Sequence, residues 1–187
     1  MSLINERRLL AEGKHLRLVA QSGWEWVERV NATGAAVIAA VTADERLVLV
    51  EQYRIPMQCR VLDLPAGLVG DDPGTAGEAL IDAARRELFE ETGYEGSDWH
   101  FAVSGPASPG LTTEVYSLFV VRGVKQTGPG GGDAQENIEV HAIPLAELDP
   151  WLDAKRRSGV IVDPKIHLGR YFLGSCPPMG CGDAKGA

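Results

Sequence analysis

From residue 24 to 30, aromatic and apolar residues alternate with Glu25, Glu28 and Arg29. A period of two predicts a strand with one wet face. The runs GAAVIAAV (34–41) and RLVLVEQYR (46–54) are apolar over strand length and predict strands buried on both faces, joined by the turn TADE. Residues 61–64 continue as a short strand into Pro65, Ala66 and Gly67. Between 78 and 92 the period changes to that of a helix, with Leu80, Ile81, Ala84 and Leu88 on one stripe and Gly93 expected to close it. Strands are expected at 99–103 and 115–124, on either side of the loop SGPASPGLTTE. The glycine-rich loop TGPGGGDAQEN then leads into the strand IEVHAIP. Residues 145–157 and 163–173 predict two further helices, the second opening with Asp163 as N-cap and Pro164 as its first residue.

Strands and helices that alternate around one core make an α/β sandwich. The expected organisation is a strand-rich arm over residues 1–33, a main domain over 34–175 and a flexible tail over 176–187. With 187 residues, 44% of them hydrophobic, the chain has material for one proper core. No run approaches the roughly 20 apolar residues that span a bilayer. The start, MSLINERRLLAEGKHL, is too charged for a secretory signal, so the expectation is a cytoplasmic protein without a membrane partner. The formal charge of -8 argues against general attraction to nucleic acid or anionic lipid. An anionic substrate therefore needs a local device. Cys59, Cys176 and Cys181 read as free thiols. Arg7, Arg8 and the run KRR at 155–157 are expected on solvated helix faces.

The segment RRELFEETGY (85–94) carries the candidate chemistry. On a helix, positions i, i+3 and i+4 share a face, so Glu87, Glu90 and Glu91 project side by side and repel one another. Arg85 and Arg86 offset part of this as a salt-bridged face. A hard divalent cation offsets it better, because Mg²⁺ takes carboxylate oxygens and shares its remaining positions with phosphates.

Arg86, Glu87, Leu88, Glu90, Glu91, Gly93 and Tyr94, with Glu78 eight positions before Arg86, resemble the second half of the Nudix box in order and spacing. Gly67 and Glu78 are farther apart than in that box, and the extra GDDPGTAG material is expected to bulge before the helix. Beyond the box, EQYR, LPAGL, Pro109 in SPG, ENIEVHAIPL and DPKIHLGRYFL look like the ADP-ribose pyrophosphatase group. The resemblance implies a Nudix α/β/α sandwich with a mixed sheet, and a Mg²⁺ cofactor, with Mn²⁺ as the other option. It also implies a nucleoside diphosphate sugar as substrate, ADP-ribose first among these, and a homodimer formed through the N-terminal arm.

The same resemblance assigns residues. Glu87, Glu91 and the Ala66 carbonyl would be metal ligands, with Glu90 and Arg86 assisting. Glu136 in the glycine-rich loop would be a further ligand or the general base, and Glu114 is the second candidate base. Arg54, at a strand end, either grips a phosphate or pairs with a surface acid such as Glu51. Trp26 and Trp24 either pack in a core or dimer contact, or supply an aromatic face to the base. Pro109 marks the substrate loop. Two other readings stay open: a different Nudix specificity, and an ADP-ribose-binding sensor without turnover.

Overall fold

The fold is that of a computed structural model, which describes residues 6–70, 74–75, 77–132 and 137–175. The arm is a three-stranded antiparallel sheet of β1 (Arg8–Glu12), β2 (Leu16–Gln21) and β3 (Trp24–Arg29). Ser22 and Gly23 join β2 to β3 with positive φ at both positions, the backbone that a two-residue hairpin requires. Arg7 and Arg8 are not on a helix. Arg8 belongs to β1, and Arg7 lies 2.5 Å from Glu28 on β3; pairing with β2 overrides the local helix preference. The arm is tied to the main body where the Val27 N–H donates to the Leu111 carbonyl at 2.8 Å.

The main sheet is mixed. Its spine runs β12 (Ile161–Val162), β6 (Cys59–Asp63), β5 (Arg46–Arg54), β4 (Gly34–Thr42), β10 (Val115–Gln126) and β8 (Tyr94–Glu95). β7 (Ala66–Val69) pairs with β4, β9 (Asp98–Pro106) with β10, and β11 (Glu139–Pro144) with β5. The contacts of β10 with β4 and of β12 with β6 are parallel, and the other pairings are antiparallel.

Alternation along the central strands feeds two cores. Val37, Ala39, Leu47 and Leu49 face α2 (Leu148–Arg157) and α3 (Lys165–Ser175), meeting Leu148, Leu152, Ile166 and Leu173. Ala36, Ile38, Ala40 and Val48 face α1 (Leu80–Thr92), meeting Ala83, Ala84 and Leu88. The result is the expected three-layer sandwich, with the predicted strands buried on both faces.

Ile81, Ala84 and Leu88 face the core as expected, and only Leu80 departs from the stripe. Ala83 is buried while Leu80 is 42% exposed, because Leu80 sits in the first turn where the chain enters the helix. Gly93 closes α1 in the left-handed conformation, its N–H donating to the Phe89 carbonyl. Residues 145–147 form a 3₁₀ turn before α2. Asp163 caps α3, its Oδ1 accepting the Lys165 N–H at 2.8 Å. Lys155 departs from the expected solvated face: its ammonium lies 2.5 Å from Glu51, which is buried. Cys59 is a free thiol, whereas Cys176, Cys181 and the expected tail lie outside the described residues. No helix among the described residues is long and apolar enough to cross a membrane.

Candidate active site

The acids of α1 form a graded set. Glu91 is buried, Glu87 is nearly so and Glu90 is exposed, because the helix rolls this face from the sheet toward solvent. Glu91 Oε2 accepts the Ala66 N–H at 3.0 Å, which docks the last turn of α1 on the start of β7. Glu87 lies over Gly67 so closely that a Cβ there would fall 1.8 Å from the Glu87 carboxyl carbon. Only glycine at position 67 leaves room for this carboxylate against the strand.

Arg86 organises the rest. One Nη donates to Glu87 at 2.8 Å and Glu90 at 3.0 Å; the other donates to Glu78 at 3.0 Å and to the Leu68 carbonyl at 3.4 Å. The Glu78 hydrogen bond first, and then the charge of Glu87 and the hydrogen bonds to Glu87 and Glu90, hold the guanidinium protonated against the effect of burial. Glu78 is in turn held below the usual carboxylate range by Arg86. The upstream glutamate thus reaches the same cluster, even though part of the loop before it, residues 71–73 and 76, lies outside the described residues.

This face opens into a cavity of about 750 Å³. Ala66, Gly67 and Glu87 form one side of it, with Arg54, Arg29 and Glu114 among the other lining residues. Arg54 is free of ion pairs among the described residues, and Glu51, one surface acid open to it as an alternative to phosphate, is instead held by Arg60, Lys155 and His141. Glu114 pairs with Arg29 of the arm. Asp63, Asp163 and Lys165 also line the cavity.

The donor set suits a hard divalent cation. Glu87 and Glu91 bring carboxylate oxygens to the start of β7, beside Ala66, and the missing Cβ of Gly67 gives the Glu87 carboxylate its place there. A second group of metal-ligating types, Glu51, Glu139 and His141, lies within 4.8 Å on the face toward α2. Its charge is already balanced by Lys155 and Arg60, at 2.5 Å and 2.6 Å from Glu51.

Trp26 and Pro109 come together, but elsewhere. With Trp24 and Thr112 they line a separate cavity of about 330 Å³, and the Trp26 ring N–H donates to Glu28 at 2.8 Å. Glu136 lies outside the described residues. The glycine-rich segment before it docks on α1: the Gly131 and Gly132 N–H groups donate to the Glu91 and Glu90 carbonyls at 2.7 and 3.0 Å. Those are two of the carbonyls that a helix end leaves without partners.

A family model described as the NUDIX domain matches residues 32–163. The chain belongs to the Nudix family. This Nudix chain is 34% identical to the methanol dehydrogenase activator of Bacillus methanolicus over 149 residues, 78% of this chain and 75% of that protein. It is 30% identical to the ADP-sugar pyrophosphatase of Mus musculus over 189 residues, 88% of this chain and 84% of that protein. A crystal structure of an ADP compounds hydrolase matches its fold with a TM-score of 0.66 at 22% identity, covering 91% of this chain and 92% of that one. The Nudix chain is a hydrolase with the α/β sandwich of its family.

Four lining residues escaped the sequence reading of this Nudix site. Arg29 was seen only as a polar position on a strand and Asp163 only as a helix cap, while Asp63 and Lys165 carried no role. The available signal was their placement, Asp63 just before LPAGL and Lys165 within DPKIHLGRYFL, both segments that the family resemblance had already marked.

Proposed function

We propose that this Nudix hydrolase cleaves the diphosphate of a nucleoside diphosphate sugar, ADP-ribose being the favoured substrate, in a Mg²⁺-dependent reaction that yields AMP and ribose 5-phosphate. The observation that carries this reading is the opening of the Glu87 face of α1 into a cavity that also holds Arg54, a cation without an ion-pair partner among the described residues. Glu87, Glu91 and the Ala66 carbonyl are the groups that would hold the cation, which when bound supplies Lewis-acid polarisation of the diphosphate and the attacking water.

The chain's own residues do the remaining work. Arg54 offers a planar fork to two phosphate oxygens. Arg86 keeps Glu87 and Glu90 in place through its two hydrogen bonds to them. Glu136 takes the proton of the attacking water. Support for it is that the preceding segment, up to Gly132, is already docked on the end of α1 that carries Glu90 and Glu91. Glu114, inside the cavity but paired with Arg29, is the second candidate for this proton.

Trp26 and Arg29 stand three residues apart on β3, and so on opposite faces of the strand. The cavity beside Trp26 shares no lining residue with the Glu87 cavity. In a homodimer assembled through residues 1–33, Trp26 and Pro109 of one copy would hold the base of a substrate seated in the other. Light scattering of the full chain and of a variant lacking β1 tests that assembly.

The primary test is ³¹P NMR of ADP-ribose with the protein and Mg²⁺, beside a chelated sample and Glu91→Gln. Growth of the AMP and ribose 5-phosphate resonances in the first sample alone supports the reading. Cleavage of another nucleotide sugar in place of ADP-ribose would keep the chemistry and replace the substrate. Tight binding with no product from any nucleotide would discard the hydrolytic reading of this cavity.

A further inference from the structure

Asp63, Asp163 and Lys165 line the same cavity as Glu87, from the end of a sheet strand and from the start of α3 on the face opposite α1. Asp63 ends β6, Asp163 precedes α3 and Lys165 is the first residue of α3. The Lys165 ammonium lies 3.0 Å from Asp63 Oδ2 and 2.6 Å from Asp163 Oδ2. Asp63 Oδ1 accepts the Leu64 N–H at 2.8 Å, and Asp163 Oδ1 accepts the Lys165 N–H at 2.8 Å. The cluster is held rigid from both sides.

Its chemistry differs from that of the diphosphate region. Two carboxylates and one ammonium leave one negative charge in excess, which repels a further phosphate. The α3 N-terminus does not reverse this, because Pro164 has no N–H and Asp163 already takes that of Lys165. Each carboxylate oxygen keeps capacity to accept a second hydrogen bond, and an ammonium with two carboxylate partners has a third hydrogen to give. Neutral groups that both donate and accept match this wall, and sugar hydroxyls are such groups. Reach is suitable as well. Asp63 and Ala66 are three residues apart, at most about 10 Å of chain, so a sugar bonded to a diphosphate beside Ala66 can meet Asp63.

We infer that Asp63, Asp163 and Lys165 form the subsite for the hydroxyl groups of the distal sugar, favouring an uncharged polyol over an additional phosphate at that end of the substrate. This rests on the reading of the cavity as a diphosphate hydrolase site. A site that hydrogen-bonds a substrate hydroxyl discriminates against analogues that lack it.

The test compares ADP-ribose with the methyl ester of ADP, which keeps the nucleoside and the substituted diphosphate but has no distal sugar. Asp163→Asn removes a charge and retains a capping oxygen. It should lower kcat/KM for ADP-ribose about tenfold and leave the methyl ester within about twofold, equivalent to one hydrogen-bonded hydroxyl. Asp163→Ser is the second variant should the first fold poorly, as judged by its melting curve. Equal losses on both compounds, or no loss on ADP-ribose, would overturn the subsite. Calorimetric titration of both compounds without turnover separates the two levels of inference. If the wild-type protein hydrolyses neither compound, the hydrolytic reading fails. The subsite would still stand if Asp163→Asn selectively weakened ADP-ribose binding, and would fall if it did not.

Discussion

The Ala66 N–H donates to Glu91 Oε2 at 3.0 Å, joining the start of β7 to the last turn of α1. One side chain therefore fixes the distance between the helix that carries the acids and the strand that carries the candidate carbonyl ligand. Glu91→Gln keeps the volume and removes the charge. We expect kcat to fall by about 10²–10³, in the range seen when a group that stabilises the transition state is lost. Because the change also relieves repulsion among three acids, the melting temperature in chelator should not fall. Steady-state kinetics and calorimetry on one preparation check both halves, and a fall in stability that tracks the loss of rate would point to simple misfolding.

Gly67→Ala sets a Cβ where the Glu87 carboxyl group now lies. The side chain must swing away or the strand must shift, at a cost of about 1–3 kcal/mol. Mn²⁺ affinity, read by electron paramagnetic resonance, should weaken by about 10- to 100-fold. Unchanged affinity would mean that Glu87 is not a ligand.

Arg86→Met removes the cation shared by Glu78, Glu87 and Glu90. In chelator the variant should be less stable than the parent by about 1–3 kcal/mol. A bound cation replaces part of the missing charge, so added Mg²⁺ should raise the variant's melting temperature more than the parent's. Equal gains for the two proteins would separate the arginine from the metal face.

Glu51 predicts the acid limb of stability. Burial alone would raise its pKa, but hydrogen bonds from Lys155 and Arg60, with His141, outweigh burial and bring it from 4.5 to about 2. A folded-state pKa below the unfolded value stabilises fully above the unfolded pKa, and the contribution is lost as pH falls toward the folded one. Glu51→Gln strands Lys155 and Arg60 and should cost about 3 kcal/mol near neutrality. The difference from the parent should shrink between pH 4.5 and about 2. Denaturant titrations across that range decide it; a constant difference would show that Glu51 acts through packing.

The acidic helix was legible in the chain because its signal is local. Glu87, Glu90 and Glu91 share a face on any α-helix, and Gly93 ends it whatever packs nearby. The paired central strands were legible for a similar reason, since runs such as GAAVIAAV fit a sheet covered on both sides. Long-range partners were not. Arg29 meets Glu114 across the chain, and Lys165 meets Asp63 only after β12 has paired with β6. β1 escaped because every one of its residues is exposed, so no inward face marks it as a strand. Lys155 looked like one of three solvated cations because nothing in KRR reveals a buried carboxylate on a strand a hundred positions earlier.

The parallel contact between β4 and β10 pairs Ala35 with Tyr116 and Val41 with Arg122. These strands lie at the middle of the sheet, and α1 is part of the chain between them. On the ribosome, β4 must wait without its central neighbour until the whole acidic helix and the proline loop have been made. Closing so long a loop is entropically slow, and the apolar edge of β4 stays open in the meantime. The order of synthesis thus makes early β4 the aggregation-prone stage of this protein's life, and it places completion of the candidate cavity, walled by both Ala35 and Tyr116, after that stage has passed.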